Sequence, residues 1–159
     1  MEITEEIKQR ILELDPCIKL DSENEDKLIG YAERFGYHLI PLYKGINTFF
    51  EKDPYEAEMK ANEISYRKVF PMPQMNCGII GYVTFEEGGD TCAALLYDKE
   101  KYLENLAKDY EQDGMEIDEE YESYYSNALE WYEYNDLGYG SSMEITPAFA
   151  CTDEFEIDC

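Results

Sequence analysis

Positive charge is missing from the last third of this sequence. No Lys or Arg follows Lys108, whereas sixteen Asp and Glu residues lie from Asp109 onward. The whole chain of 159 residues has a formal net charge of −24. This charge repels phosphate groups, so it argues against direct binding to nucleic acid or to an anionic membrane. It favours basic partners, cations, or a surface whose charge serves solubility alone.

Histidine is nearly absent, since His38 is the sole one. A single histidine cannot build a His-based metal site or a catalytic relay, and its apolar neighbours suggest a structural role in a strand. The sequence also has no glycine-rich phosphate-binding loop after a strand. Its Gly88-Gly89 pair stands between two predicted strands and is flanked by acidic residues, which would repel phosphate. No serine has an elbow motif, and the carboxylates are too numerous to single out an acid–base pair. We therefore expect no enzymatic activity and no cofactor.

The five cysteines are odd in number and scattered, without a CxxC pair. This spacing is typical neither of a zinc site nor of a disulfide framework. The sequence opens on a polar amphipathic run instead of a signal-peptide pattern, and its apolar runs are far too short to span a bilayer. We expect mostly free thiols and a reducing cytoplasm.

Length and composition suit one domain with one core, since 44% of the residues are hydrophobic. We assign residues 1–150 to this domain and residues 151–159 to an acidic tail. The succession of elements predicts an α+β fold: a small, mainly antiparallel sheet with helices on one face and a C-terminal acidic helical hairpin at 98–135.

Three helices are predicted in the first half of the chain. The first has apolar residues about one turn apart. The second opens on a capping box, Ser22 with Glu25, and the third on Asp53-Pro54, where Asp can cap and Pro suits the first turn. These helices are predicted over residues 3–14, 22–35 and 53–67.

The clearest strands are residues 77–85 and 91–97, joined by a hairpin loop at 86–90 that contains two glycines. Both strands are apolar on both faces, which favours a central place in the sheet. Gly81 suggests a bulge or a close approach of another backbone, and Pro41 argues for an edge strand. Shorter extended segments are predicted at 37–43, 46–50 and 141–150.

The C-terminal hairpin consists of two predicted helices, residues 99–110 and 118–134. Asp98 and Asp118 can cap them, and Gly114 breaks the chain between them. The second helix carries an aromatic and apolar stripe, which is typical of core burial. The stripe consists of Tyr121, Tyr125, Ala128, Leu129 and Tyr132.

Residues 109–120 also resemble a twelve-residue calcium loop. Asp109, Glu111, Asp113 and Glu120 stand at its first, third, fifth and twelfth places, and Gly114 stands at the sixth. The third place holds Glu where a shorter Asp or Asn is usual, and the eighth, normally apolar, holds Glu116. Calcium binding through Asp109, Glu111, Asp113 and Glu120 is therefore an alternative hypothesis.

The acidic hairpin predicts a second kind of site, a protein-binding surface. Carboxylates along two helices can occupy positions like those of DNA phosphates, and the association with a basic groove would be steered electrostatically. Tyr side chains supply the anchoring area of interface hot spots. The predicted partner-binding residues are Glu111, Asp113, Glu116, Asp118, Glu119, Glu120, Glu122, Tyr124, Glu130 and Glu133.

The leading hypothesis is a non-enzymatic inhibitor that binds a basic, nucleic-acid-handling protein such as a nuclease; that this partner is a host defence protein is what the resemblance described next implies. A further alternative is an immunity-type protein that neutralises a basic toxin, which would use the same surface. Self-repulsion argues against a large oligomeric interface on the acidic face, so a monomer or a dimer is expected.

Residues 96–149 show Tyr97-Asp98 before a helix, a Gly114-Met115 turn, and an exit marked by Gly138 and Pro147. In this pattern they resemble the C-terminal half of a group of small acidic proteins from phages and other mobile elements. The resemblance implies a phage or mobile-element origin, a location in a bacterial cytoplasm, and action by binding host machinery; it carries no assigned chemistry. In size and charge the chain is also similar to DNA-mimicking antirestriction and anti-CRISPR proteins. The matching positions are Tyr97, Asp98, Lys101, Glu104, Gly114, Met115, Glu119, Glu120, Glu130, Asn135, Gly138 and Pro147.

Overall fold

The computed structural model describes residues 3–34, 38–70, 78–112, 114, 123–132 and 147–151. They form four α-helices, one 3₁₀ helix and six strands, so the protein has an α+β fold. The helices are α1 (Ile3–Leu14), α2 (Pro54–Ile64), α3 (Lys99–Gln112) and α4 (Tyr124–Trp131), with the 3₁₀ helix at Ser22–Lys27. The strands are β1 (Leu28–Arg34), β2 (His38–Tyr43), β3 (Thr48–Phe50), β4 (Ile79–Glu87), β5 (Asp90–Asp98) and β6 (Ala148–Ala150).

The strands form one mixed sheet in the order β2-β1-β6-β5-β4-β3. Every neighbouring pair is antiparallel except β5 and β6, which are parallel. A parallel pair needs a long crossover connection, and the chain between these two strands contains α3 and α4. The expected mainly antiparallel sheet is therefore mixed, and its one parallel pair lies at the centre.

The sheet curls because its two edge strands follow each other in the chain. Only residues 44–47 separate β2 from β3, and an isolated bridge joins Lys44 to Thr48. Arg34 of β1 lies 3.1 Å from Glu87 of β4, although β6 and β5 stand between these strands in the sheet. The inner, concave face consequently packs against itself. Its buried side chains are Ala32, Ile40, Leu42, Ile80, Val83, Cys92, Ala94, Leu96, Ala148 and Ala150.

The helices cover the outer face of the sheet. Ile7 and Ile11 of α1 pack with Tyr31 of β1, while Ala57 and Ala61 of α2 join the cluster built on β4 and β5. Tyr31 and Glu33 share the face of Phe149, because Glu33 and Phe149 are register partners. Among the described residues, the predicted placement of helices on one face is thus observed.

Four buried aromatic side chains fasten α3 and α4 to the centre of the sheet. Phe149 of β6 lies 5.0 Å from Tyr102 of α3 and 4.9 Å from Tyr132 of α4, measured between ring centroids. Tyr97 of β5 completes the group, at 5.8 Å from Phe149. Ala128 and Tyr132 are fully buried in this cluster, so the predicted core role of the α4 stripe is confirmed for these two positions.

The predicted helix at 22–35 is wrong. Ser22–Lys27 is a short 3₁₀ helix capped by Asp21, whose carboxylate accepts from the Glu23 N–H at 3.0 Å. Leu28–Arg34 is strand β1, which pairs with β2 on one side and with β6 on the other. Leu28, Ile29 and Ala32 suit a helical spacing, but the strand buries side chains on both faces. Tertiary pairing therefore overrides the local pattern.

Other elements agree with their local signals. Asp53 caps α2 and accepts from the N–H groups of Tyr55 and Glu56 at 3.0 and 3.1 Å, as its start signal predicts. The helix ends at Ile64.

The predicted hairpin is confirmed as β4 and β5, but its turn is the pair Gly88-Gly89, both at positive φ, and not the predicted loop 86–90, because the strands continue through Glu87 and from Asp90. Residue 77 lies outside the described residues.

Gly81 of β4 is the register partner of Phe50 of β3, at a point where the two backbones approach closely. Its φ is +156°, and a Cβ built on it would lie 1.9 Å from the carbonyl oxygen of Phe49. The register of the β4–β5 pair also shifts between Ile79 and Gly81. The predicted bulge or close approach at this glycine is confirmed.

The predicted C-terminal helical hairpin is described only in part. α3 and α4 pack against each other, but residue 113 and residues 115–122 lie outside the described residues. The predicted continuous helix at 118–134 is wrong at its start, because Ser123 is extended and caps α4, which begins at Tyr124. The acidic tail at 152–159 also lies outside them. No helix among the described residues is both long and apolar enough to cross a membrane.

Candidate functional site

The described part of the acidic hairpin contains three of the predicted partner-binding residues. Glu111 is exposed in the last turn of α3, Tyr124 opens α4, and Glu130 lies partly buried in α4. The other predicted partner-binding residues lie outside the described residues: Asp113, Glu116, Asp118, Glu119, Glu120, Glu122 and Glu133.

Exposed carboxylates of α3 define what we term the α3 acidic surface: Glu100, Glu104 and Glu111, whose spacing of four and seven places them on one face of the helix, and Asp109 on another face. The last turn of α3 contains no basic residue. Carboxylates near a helix C-terminus oppose the helix dipole, at a cost of about 0.3–1 kcal/mol each. Asp109 and Glu111 therefore oppose the dipole of α3.

The field of this surface extends to Tyr125 of α4. The Tyr125 hydroxyl donates to Glu100 Oε2 at 2.9 Å. Burial first, and then the hydrogen bond and negative charge of Glu100 with the charge of Glu104, raise the pKa of Tyr125 to about 12. Trp131 is the exposed aromatic side chain of α4, with half of its surface accessible. Aromatic area and carboxylates thus lie together on the α3–α4 pair.

The calcium hypothesis stays a prediction. α3 continues through Gln112, so Asp109 and Glu111 both have helical backbone, and residues two apart on a helix do not face each other. Asp113 and Glu120 lie outside the described residues. Among the described residues, no group of three or more His, Cys, Asp or Glu side chains is arranged to hold a metal ion.

A polar network lies under α3 and α4, against β1. Lys99 Nζ lies 3.3 Å from Glu33 Oε2, and the Tyr132 hydroxyl donates to the same oxygen at 2.9 Å. Lys99 also lies 5.1 Å from the centre of the Tyr132 ring. Burial first, and then the charge of Glu33, raise the pKa of the nearby Cys151 thiol to about 12. This network positions helices, and its thiol is unsuited to act as a nucleophile.

The cysteines are expected to react very unequally with iodoacetamide. Cys17 is exposed, whereas Cys92 is fully buried and the Cys151 thiol holds its proton at about pH 8 because its pKa is about 12. Since the thiolate is the nucleophile, Cys17 should be alkylated roughly 100-fold faster than Cys151 in the native protein. Peptide mapping by mass spectrometry gives each rate, and unfolding in urea should make the rates similar. Equal rates in the native protein would contradict the burial of Cys92 and Cys151.

A second candidate site is a cleft of about 480 Å³ between β2 and β4, which sequence reasoning missed. Arg34 is 9% exposed and lies on its floor, with its guanidinium carbon 4.4 Å from the centre of the Phe85 ring. The Nε of Arg34 and the Oε2 of Glu87 are buried and have no hydrogen-bond partner. We term it the β2–β4 cleft; its lining residues are Arg34, Leu39, Ile40, Pro41, Asn47, Thr84, Phe85, Glu86 and Glu87.

The sequence contains one signal for this cleft. Pro41 predicts an edge strand, and β2, which forms one wall of the cleft, is an edge strand. The role of Arg34 could not be found in the same way, because its segment was predicted as helix. The chain matches no protein-family model, and neither the curated proteins nor the solved structures include a significant match. Inference about function therefore rests on the α3 acidic surface and the β2–β4 cleft.

Proposed function

We propose that this protein is a non-enzymatic acidic inhibitor of a basic, nucleic-acid-handling host defence protein, in the manner of a DNA mimic. The observation that carries the proposal is the uneven distribution of charge. Residues 98–159 contain nineteen Asp and Glu against three Lys, whereas residues 1–97 contain eighteen against ten Lys and Arg. A general need for solubility does not require such a concentration in one part of the chain.

The described geometry supports this proposal in two ways. The α3 acidic surface keeps Asp109 and Glu111 at a helix end where they oppose the dipole, and Tyr125 is bonded to Glu100 at 2.9 Å. Trp131 of α4 is 50% exposed. Carboxylates attract a phosphate-binding groove over a distance, and aromatic side chains supply contact area once the proteins meet.

The partner can be identified by testing which bacterial defence system the protein inhibits. Bacterial strains that each carry one cloned restriction or CRISPR system would be infected with a sensitive phage, with and without this protein. We expect plaque formation to be restored against one class of system. Purified protein should then displace duplex DNA from that nuclease, and salt should weaken the complex because its attraction is electrostatic. If no defence system is inhibited and no nuclease loses DNA, the proposal fails. Protection only against a basic toxin would favour the immunity alternative.

Charge reversal on the α3 acidic surface is expected to weaken inhibition. The triple variant Glu104→Lys, Asp109→Lys and Glu111→Lys removes three exposed carboxylates and should raise the inhibitor's Kd about tenfold or more. A matched triple variant, Glu6→Lys, Asp26→Lys and Glu63→Lys, makes the same change of charge at exposed positions of other elements.

Because both variants have the same net charge, their difference reports the location of the charge and not its amount. The displaced DNA is measured by fluorescence anisotropy, and circular dichroism confirms that both variants are folded. Equal loss of affinity in the two variants would mean that the surface acts only through total charge, and full retention in the first would remove α3 from the interface.

A further inference from the structure

The two walls of the β2–β4 cleft are strand edges, and one residue spans the distance between them at the closed end. The carbonyl oxygen of Asn47 accepts from the Thr84 N–H of β4 at 2.8 Å. The side chain of the same residue accepts from the Tyr43 N–H and donates to the Pro41 carbonyl of β2, both at 2.8 Å. Asn47 thus bonds to both edges, as a residue of an intervening strand would. At this level one residue spans the gap between the edges, with its backbone on the β4 side and its side chain on the β2 side.

Beyond Asn47 the same gap continues without an occupant among the described residues. β3 begins at Thr48, which pairs with Val83, so β3 does not reach residues 84–87 of β4. Backbone groups in an antiparallel strand point alternately to one neighbour and to the other. The N–H of Tyr43 and the C=O of Pro41 bond to Asn47, so they point away from β1. By the same alternation, the N–H and C=O of Leu39 also point away from β1. The N–H of Thr84 bonds to Asn47, so it points away from β5. By alternation, the N–H and C=O of Glu86 also point away from β5. Both sets of groups border the cleft.

The floor of the cleft presents one donor and one acceptor that make no hydrogen bond. Arg34 Nε is buried and unbonded, and the buried Glu87 Oε2 lies 3.1 Å from Arg34 NH2 in an ion pair without a well-directed hydrogen bond. A buried polar group without a hydrogen bond is unfavourable, because it has lost its bonds to water without replacement. Ile40 and Phe85 add apolar surface beside them. A ligand that fits must therefore accept from Arg34, donate to Glu87 and bring apolar side chains.

We infer that the β2–β4 cleft binds an extended peptide segment, which adds a strand between β2 and β4. Its backbone would pair with Leu39 on one side and with Glu86 on the other. A carboxamide side chain that points inward from this strand would accept from Arg34 Nε and donate to Glu87, as these two groups require. Alternate side chains would enter the apolar inner face. The outward side chains would be neutral or basic, because Glu86 is exposed at the rim and the protein's net charge is −24.

A free anion suits the cleft less well than a peptide. Glu87 already lies 3.1 Å from the guanidinium of Arg34, so a carboxylate or phosphate bound there would be repelled by it. An anion would also leave the free backbone groups of Leu39 and Glu86 unused. The peptide-binding site is independent of the α3 acidic surface, so either proposal can fail while the other stands.

The test uses a displayed library of linear peptides of about twelve residues, selected against the full-length protein. Enriched peptides are synthesised, and their binding is measured by fluorescence anisotropy. In ¹⁵N NMR spectra we expect the amides of Leu39 and Glu86 to shift and to exchange more slowly with solvent when peptide is bound. Enriched sequences should alternate apolar residues with neutral or basic ones.

The decisive comparison is Leu39→Pro with Leu39→Ala. Proline removes the N–H that faces the cleft but no hydrogen bond to β1, whereas alanine removes the side chain and keeps the N–H. We expect Leu39→Pro to weaken peptide binding about tenfold or more relative to Leu39→Ala, since an edge hydrogen bond would be left unmade. Glu86→Pro and Glu86→Ala give a second pair on the opposite wall if Leu39→Pro does not fold.

Three results would overturn the inference. They are a selection that enriches no peptide, peptide binding that is equal in the proline and alanine variants of both walls, and a concentration-dependent dimer that is lost in Leu39→Pro. The last result, seen by sedimentation, would assign the cleft to a second copy of the chain.

Discussion

Replacing Gly81 with alanine is expected to lower the free energy of unfolding by about 3 kcal/mol or more, or to prevent folding. A Cβ at this position would lie 1.9 Å from the Phe49 carbonyl oxygen and 2.9 Å from the Phe50 Cα. Both contacts are with backbone, which cannot rotate away as a side chain can. Relief requires β3 to separate from β4, and the three register pairs between these strands would be lost.

Gly89→Ala is the matched control for this prediction. Gly89 has a φ of +85°, but no atom lies within 4 Å of a Cβ built on it. It should therefore cost only about 1 kcal/mol, from backbone strain alone. Urea unfolding followed by circular dichroism measures both variants. If the two substitutions cost the same, β3 does not approach Gly81 as closely as the structure shows.

Phe149→Ala is expected to lower the free energy of unfolding by about 4 kcal/mol. Phe149 is 1% exposed and contacts the rings of Tyr97, Tyr102 and Tyr132 at centroid distances of 5.8, 5.0 and 4.9 Å. The cavity would lie where β6 meets α3 and α4, and the surrounding aromatic rings are too large to fill it by small shifts. The near-ultraviolet circular dichroism of the tyrosines should also weaken.

The control for Phe149→Ala is Phe50→Ala in edge strand β3. Phe50 is 43% exposed, so its removal should cost about 1 kcal/mol or less under the same denaturation conditions. A small effect of Phe149→Ala, similar to that of Phe50→Ala, would show that the four aromatic side chains do not join β6 to the helices.

Local signals predicted the elements whose ends are set by neighbouring residues. The Asp53 cap starts α2, and Gly88 and Gly89 form the β4–β5 turn because both need positive φ. The same signals failed at β1, where Leu28, Ile29 and Ala32 fit a helix as well as a strand. Pairing with β2 and β6 decides that segment, and the sequence around it does not reveal those partners.

The two candidate sites also differ in whether the local sequence could predict them. The α3 acidic surface was predicted because its carboxylates follow one another along a single segment. The β2–β4 cleft combines Arg34, residues 39–41, Asn47 and residues 84–87, which meet only because the sheet curls. Composition and motif spacing do not contain this information. It depends on β2 and β3 being consecutive strands at opposite edges.

The position of β6 has a consequence for how the protein is made. β6 is the sole strand that joins the pair β2-β1 to the trio β5-β4-β3 among the described strands, yet it comes last in the chain. During synthesis both parts leave the ribosome before residues 148–150, so the sheet is incomplete until then. Its apolar inner face is meanwhile open to other nascent chains, and such intermediates are prone to aggregate. A net charge of −24 would keep these chains apart until the last strand closes the sheet.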